Sequence, residues 1–350
     1  MYSIQLLKSQ GGIFMIKVCL VGYGGIARAH KSGYRSEIEA KGLGEFCGAF
    51  EINPDRFERR VTTNLAEDTP KEVVDFRTYT DLDTMLETEK PDVVTVALPT
   101  YLHKDMTIKI LKKGYNVLCE KPMALNSAEC EEMIAAAKET GKKLMVGQCL
   151  RFAPEYEFLK DAIDTGKFGK VRSVFMERLS TAPIWGWENW YMDTAKSGGA
   201  LQDLHIHDID MARYLFGEPE KISCISKAGY SDYESAFSQL FYKDFVASII
   251  GDWSLINHPF KPGYRIAFEK ATVTWDYNEL WVYPCDAAKY KVDLPAVNPY
   301  GAEAAFFGKV VTEGAQNTKN TPESAAATIK LIEALRQSAD NGGAILEYDV

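Results

Sequence analysis

An α/β fold of two domains is predicted for this chain by three observations. Its 350 residues exceed what one core ordinarily serves, at roughly 150 residues per domain. Short continuous apolar runs alternate with helix-like segments through the N-terminal part, the pattern of parallel strands buried on both faces. A glycine-rich turn directly follows the first of those runs. The composition, 46% hydrophobic and 25% charged, is that of an ordinary globular chain. Forty Lys+Arg against 49 Asp+Glu give a net charge of −9, the wrong sign for a general nucleic-acid or anionic-membrane binder. The seven cysteines are odd in number and form no C-x-x-C. Several sit in apolar runs, where a free thiol acts as a small hydrophobe, so a reduced, cytoplasmic chain is expected. No apolar run approaches the ~18 residues of a membrane span.

Residues 1–14 read as an extension, without the apolar core of a signal peptide. Met15–Val21 reads as the first buried strand, followed by Gly22-Tyr23-Gly24-Gly25-Ile26-Ala27 and a helix beginning at Arg28. This is the turn a dinucleotide requires. Gly22 permits the tight turn, Gly24 lets backbone approach a pyrophosphate, and Ala27 lets helix pack on strand. The helix N-terminus then offers unpaired N–H donors to the phosphates. A second strand, Phe46–Phe50, delivers Glu51, a carboxylate roughly 20–25 residues past the glycines. That placement suits the ribose hydroxyls of NAD and repels a 2′-phosphate; NADP is the less favoured cofactor. Arg56, at a helix start, lies near the adenine or is solvated. Strand Val93–Leu98 leads to Pro99, Thr100 and a helix from His103 to Lys113; strand Asn116–Cys119 delivers Glu120-Lys121-Pro122. Ligands bind beyond the carboxyl ends of such strands, so Gly22–Ala27, Leu98–His103 and Glu120–Pro122 should line one crevice. Strand Lys143–Gly147 closes this first domain. The charged stretch 59–77 is a surface hairpin or a flap.

The segments GYGGIA, LPTYLH, CEKPMALN and SGGALQDLHIHDID together resemble the glucose-fructose oxidoreductase / inositol dehydrogenase / MocA (Gfo/Idh/MocA) family from about Met15 to the end. The resemblance implies a Rossmann domain over 15–149, then an α+β domain over 150–350 on a large open mixed or antiparallel sheet. The closing helix over 322–339 is a candidate to pack back on the first domain. The resemblance further implies NAD(P)-dependent oxidation of CH–OH groups, with Lys121, Asp203 and His207 as the catalytic set, and a homodimer or homotetramer through the open sheet. Three departures stand out. Glu51 replaces the more usual Asp, His205 occupies a position often Gly, and 59–77 is longer than usual.

The residues themselves support that set. Over 200–216, helical spacing puts Leu201, Leu204, Ile209, Ala212, Leu215 and Phe216 on one apolar stripe, with Asp203, His207 and Asp210 opposite. His205 falls in the stripe, a packed core histidine. On a helix the H-x-H pair diverges by roughly 200°, which disfavours a metal site. His207 is therefore the candidate acid/base, since an unperturbed histidine near pH 6.5 suits proton transfer. Asp203 would orient the ring or hold a hydroxyl. Lys121 would stabilise a developing alkoxide, and Glu120 would hold the cofactor or the loop. Arg151 is a candidate for a substrate hydroxyl or carboxylate, or for a pair with Glu155. Trp190, in the tryptophan-rich segment 184–193, is a candidate stacking surface for a sugar, with loop packing or a subunit contact the alternative. Trp275, Tyr277, Glu279, Trp281 and Tyr283 alternate, predicting one aromatic face of a strand or hairpin at a subunit interface, with ordinary core packing the competing view. The expected function is hydride transfer between NAD and a secondary hydroxyl of a cyclic polyol, sugar or sugar derivative. Transient oxidation by tightly held NAD in a glycosidase or epimerase, a non-catalytic NAD-binding sugar sensor, and a metal hydrolase are the rivals.

Overall fold

The structure, a computed structural model, describes residues 15–58 and 74–349. Residues 1–14 and all of the charged stretch but its last four positions lie outside the described residues. The chain runs β1 (Ile16–Val21), α1 (Gly25–Gly33), β2 (Gly44–Phe50), α2 (Asp55–Glu58), β3 (Arg77–Tyr79), α3 (Leu82–Glu89), β4 (Val93–Val96), α4 (His103–Lys112), β5 (Asn116–Glu120), α5 (Ser127–Thr140) and β6 (Leu144–Gly147). These strands form a parallel sheet in the order β3-β2-β1-β4-β5-β6. The order reverses between β1 and β4, and the strand ends diverge there to leave a crevice. Continuous apolar sequence fits the burial: Val18, Leu20, Val94, Val96, Val117 and Leu118 are all inaccessible, because helices cover both faces.

The second part begins with α6 (Pro154–Asp164) and β7 (Val171–Leu179). It continues through α7 (Thr194–Ser197), α8 (Gly199–Asp203), α9 (Ile206–Phe216), β8 (Lys221–Lys227), β9 (Ser235–Phe241), β10 (Val246–Asp252), β11 (Lys261–Phe268), β12 (Ala271–Trp275), β13 (Leu280–Pro284) and β14 (Tyr290–Val292). It ends with α10 (Pro299–Thr312), α11 (Pro322–Asp340) and β15 (Leu346–Glu347). Its nine-stranded sheet has the order β14-β13-β12-β11-β7-β10-β9-β8-β15. Only β7 and β10 pair in parallel. Strict alternation makes the sheet two-faced. Val174, Met176, Ile249 and Ile266 are buried on one side, while Phe175, Ser248 and Arg265 stand on the other.

Helix α10 returns to the first sheet. Gly33 and Gly301 meet backbone to backbone, where a Cβ on Gly301 would stand 2.1 Å from the Gly33 carbonyl oxygen. That contact sets Tyr300 and Glu303 beneath the crevice. Helix α11 packs on α5, α9 and β8, spanning both sheets' coverings. All seven cysteines are unpaired, and six of them are buried.

Two sequence expectations are corrected here. The helix over 200–216 is two helices, broken at Leu204 and His205. The break lets His205 turn inward, with Nε2 2.8 Å from Ser238 Oγ, and lies against Gly251, where a Cβ would be 2.7 Å from the His205 Cβ. The expected aromatic strand face does not form, because the turn at 276–279 resets the alternation. Trp275 pairs with Leu280 and Thr274 with Trp281, so Trp275 faces the core while Trp281 and Tyr283 face out.

Candidate active site

The crevice is built first by the turn after β1. Gly22 adopts φ +89°, and a Cβ there would stand 2.6 Å from the Ala97 carbonyl oxygen, so only glycine fits. At Gly24 a Cβ would meet nothing within 4 Å; the space it would fill is the ligand side of the turn. Gly24 caps α1 without any side-chain acceptor, which leaves the first N–H groups free for an anion. Glu51 is buried and holds this turn: Oε2 accepts from Tyr23 N at 2.9 Å and Oε1 from Asn53 N at 3.1 Å. A carboxylate has about four acceptor sites, so capacity remains for ribose hydroxyls. These residues, with Ile26, Arg56, Leu98, Pro99, Trp187 and Trp190, line a cavity of about 450 Å³. The cradle suits NAD. The open space at Gly24, the unpaired helix N-terminus and the buried carboxylate are the features that a dinucleotide needs.

Thr100 and His103, expected at the cofactor, stand behind the wall instead. Both are buried, and His103 is committed to backbone: Nδ1 lies 2.8 Å from Pro122 O and Nε2 2.8 Å from Leu98 O. Burial opposes a charge on this ring, but the Cys119 sulfur and the two carbonyls outweigh it and lift His103 to about 9. Its role is positional, fixing the two loops that flank the crevice. Ala27 is likewise fully buried and serves helix–strand packing.

A second cavity, of about 210 Å³, adjoins the first. Gly25, Ile26, Trp185 and Tyr191 line both. Lys121, Asp203 and His207 meet here although β5 and the broken helix are far apart in sequence. Lys121 Nζ donates to the Asp203 backbone oxygen at 2.8 Å and to its Oδ1 at 3.3 Å. His207 lies on the first turn of α9, with Nδ1 unpartnered. Burial, then the Lys121 and Arg178 cations, holds its imidazole well below the usual histidine range, so the ring is a neutral acceptor. Glu120 binds no proton of its own. Burial would raise its carboxyl, but His30 Nε2 at 2.5 Å and the neighbouring Lys121 outweigh that and lower it. Its other oxygen accepts from Lys121 N at 3.0 Å, which orients the lysine. Below it, Glu303 has neither oxygen hydrogen-bonded, and burial, then Glu120, pushes it well above the carboxylate range. Among the described residues, His30, Glu120 and Glu303 are the one grouping with three ligand-type atoms within 4.8 Å, but His30 and Glu120 are already bonded to each other.

Three expected site residues fall elsewhere. Arg151 is withdrawn from the cavity: Nε and Nη2 bind Asp210 at 2.8 and 2.6 Å, and the guanidinium also reaches Lys319 O and Ser324. Asp210 is thereby consumed as a structural partner and leaves the polar face drawn for it. Trp190 lines the dinucleotide cavity, stacked on Tyr191 with ring centroids 4.0 Å apart, and of the two only Tyr191 also lines the second cavity. The walls of the second cavity include residues the sequence reading missed: Glu155, Arg178, Trp253, Phe260 and Tyr300, with Trp275 and Tyr277 turned in from the strand assigned outward. Arg178 carried a signal. It shares the even register of Val174 and Met176, so alternation puts a charged residue on the buried face. There Nε and Nη2 grip Asp208 at 2.9 and 3.0 Å.

Residues 16–148 match the model of the oxidoreductase family with an NAD-binding Rossmann fold. Residues 156–274 match the GFO/IDH/MocA C-terminal domain. The chain belongs to the Gfo/Idh/MocA family, with NAD as the cofactor its first domain is built for. Among curated proteins, it is 37% identical over 159 residues to a 2,7-anhydro-N-acetylneuraminate hydratase of Mediterraneibacter gnavus, covering 43% of this chain and 41% of that protein. It is 36% identical over 139 residues to an inositol 2-dehydrogenase of Rhizobium meliloti, covering 39% and 40%. The alignments thus span about two-fifths of these relatives. Levoglucosan dehydrogenase, solved with NADH, shares the fold at a TM-score of 0.81 and 21% identity, over 95% of this chain and 99% of that one.

Proposed function

We propose that this protein is an NAD-dependent dehydrogenase acting on a secondary hydroxyl of a cyclic polyol, sugar or sugar derivative. The observation that carries the reading is the meeting of Lys121, Asp203 and His207 in an aromatic-walled cavity continuous with the dinucleotide cavity. NAD, when bound, supplies the hydride acceptor. His207, held neutral, takes the hydroxyl proton. Lys121 directs two of its three N–H bonds at Asp203 and keeps one for the substrate oxygen, where it stabilises developing alkoxide charge. Trp253, Trp275, Tyr191 and Phe260 offer flat apolar surface to the C–H face of a ring, and Glu155 and Arg178 offer hydroxyl partners. The other expected site residues, apart from Arg151, Thr100, His103, Ala27 and Trp190, are assigned the same roles in this proposal. The protein is proposed to act in the cytoplasm; no helix among the described residues is long and apolar enough to cross a membrane. Self-association through the outer face of the nine-stranded sheet is part of the same proposal.

The test is NADH formation with a panel of inositols, hexoses, sugar acids and amino sugars, offered NAD or NADP. Lys121→Ala and His207→Ala should each lower kcat by about 10²–10⁴ without preventing NADH binding. A variant that kept full rate would remove its residue from the mechanism. Substrate consumption with no net NADH would replace the dehydrogenase with the transient-oxidation reading.

A further inference from the structure

The segment 184–193 leaves the second domain and lies along the first. Trp187 stands at its tip, 42% exposed, with the Arg56 guanidinium 5.0 Å from its ring. Arg56 belongs to α2, just beyond Glu51, so this contact joins the two domains at the Glu51 end of the crevice. Both side chains line the dinucleotide cavity.

The chain is bent to reach there. Glu188 and Asn189 adopt φ +50° and +55°, left-handed values that non-glycine residues take only when the surroundings hold them. Beyond them the segment returns to the crevice with Trp190 and Tyr191 stacked. Tyr191 also meets Trp253 edge-on at 6.0 Å and Trp185 at 5.5 Å. Its root is tied: Ser197 Oγ donates to Tyr191 O at 2.7 Å, and the Asp193 carboxylate caps α7. A rooted strap therefore lines the dinucleotide cavity with Trp185 to Glu188, Trp190 and Tyr191, and its exposed tip carries a cation–π contact to Arg56.

We propose that Arg56 and Trp187 form a latch over the dinucleotide crevice, so that opening this strap limits cofactor release. The proposal rests on NAD binding by the first domain and is independent of which substrate the second cavity takes. Indole is the best ring for a cation–π contact and arginine its more frequent partner, and loss of the contact should loosen the tip. A closed strap would also keep water from the shared boundary of the two cavities.

The experiment uses the full chain without substrate. NADH is bound, a large excess of NAD is added, and release is followed by the loss of bound-NADH fluorescence in a stopped-flow instrument. Trp187→Ala and Arg56→Ala should each speed release about ten-fold, the double variant should be little faster than either, and Trp187→Phe should restore part of the retention. Release from Trp187→Ala at the wild-type rate would overturn the latch. So would strictly multiplicative effects of the two substitutions, which would make them separate contacts. Because no turnover is required, failure of the substrate assignment would leave these rates unchanged, and failure of the latch would leave NADH formation intact.

Discussion

Two buried histidines near the site give the protein an acid limit that can be assigned to residues. Burial, and then Arg178, lowers His205 to about 3. His207 is lowered in the same direction by burial, Lys121 and Arg178. Both therefore bind fewer protons when folded than when unfolded below the ordinary value of 6.5. Stability then rises with pH through this range and is lost as pH falls from 6.5 toward 3. His103 has the opposite sign. Raised to about 9, it contributes stability that is full below 6.5 and disappears as pH climbs through 9. Melting temperature measured against pH should thus decline at both ends. In His205→Gln the acid decline should be shallower and the alkaline one unchanged. An acid limb identical to wild type would exclude His205 as a contributor.

Elements meet in this fold through buried ion pairs that no single element could reveal. Arg151 follows β6, Asp210 lies on α9, and Ser324 and Lys319 flank the start of α11. One guanidinium joins all three regions, and Thr328 adds a 2.8 Å bond to Asp210. Arg178 and Asp208 repeat the device between β7 and α9. Breaking a buried pair by removing one partner leaves an uncompensated charge and typically costs about 3–5 kcal/mol. Arg151→Met should therefore unfold at markedly lower temperature or denaturant concentration, yet leave KM for any substrate nearly unchanged. A large KM effect at full stability would return Arg151 to the substrate site. The helix break at Leu204–His205 belongs to this scale too. It sets Asp203 and His207 around Lys121 while α9 turns Asp208 and Asp210 to their arginines.

At the scale of the whole molecule, one large surface lacks a covering layer among the described residues. The register sets Gln239, Ser248, Phe175, Arg265, Thr274 and Trp281 in one row across the outer face of the second sheet. Phe237 is 42% exposed beside it, next to Ile250. A broad sheet face with such residues is a typical self-association surface. Sedimentation velocity should find an assembly of two or four chains, and Phe237→Lys with Ile250→Lys should reduce its mass. A monomer in the wild type would end this proposal.

The local sequence was enough for the first domain and for its dinucleotide turn. Strand burial follows from unbroken apolar runs. The dinucleotide turn follows from the glycine spacing directly after the first strand, and Lys121 is placed by the strand that ends beside it. These depend on neighbours along the chain. What only the tertiary structure decided is where long-range partners pull each polar side chain. Helical periodicity drew Asp210 toward the site, but Arg151 claimed it. Parity carried through from Trp281 and Tyr283 drew Trp275 outward, but the turn at 276–279 breaks that parity. Trp275 shares the buried side of β12 with Val273 and lines the second cavity. Arg178 entered the cavity for the same kind of reason. A buried charge needs its counter-charge, and its partner Asp208 lies on a helix that no local pattern brings near.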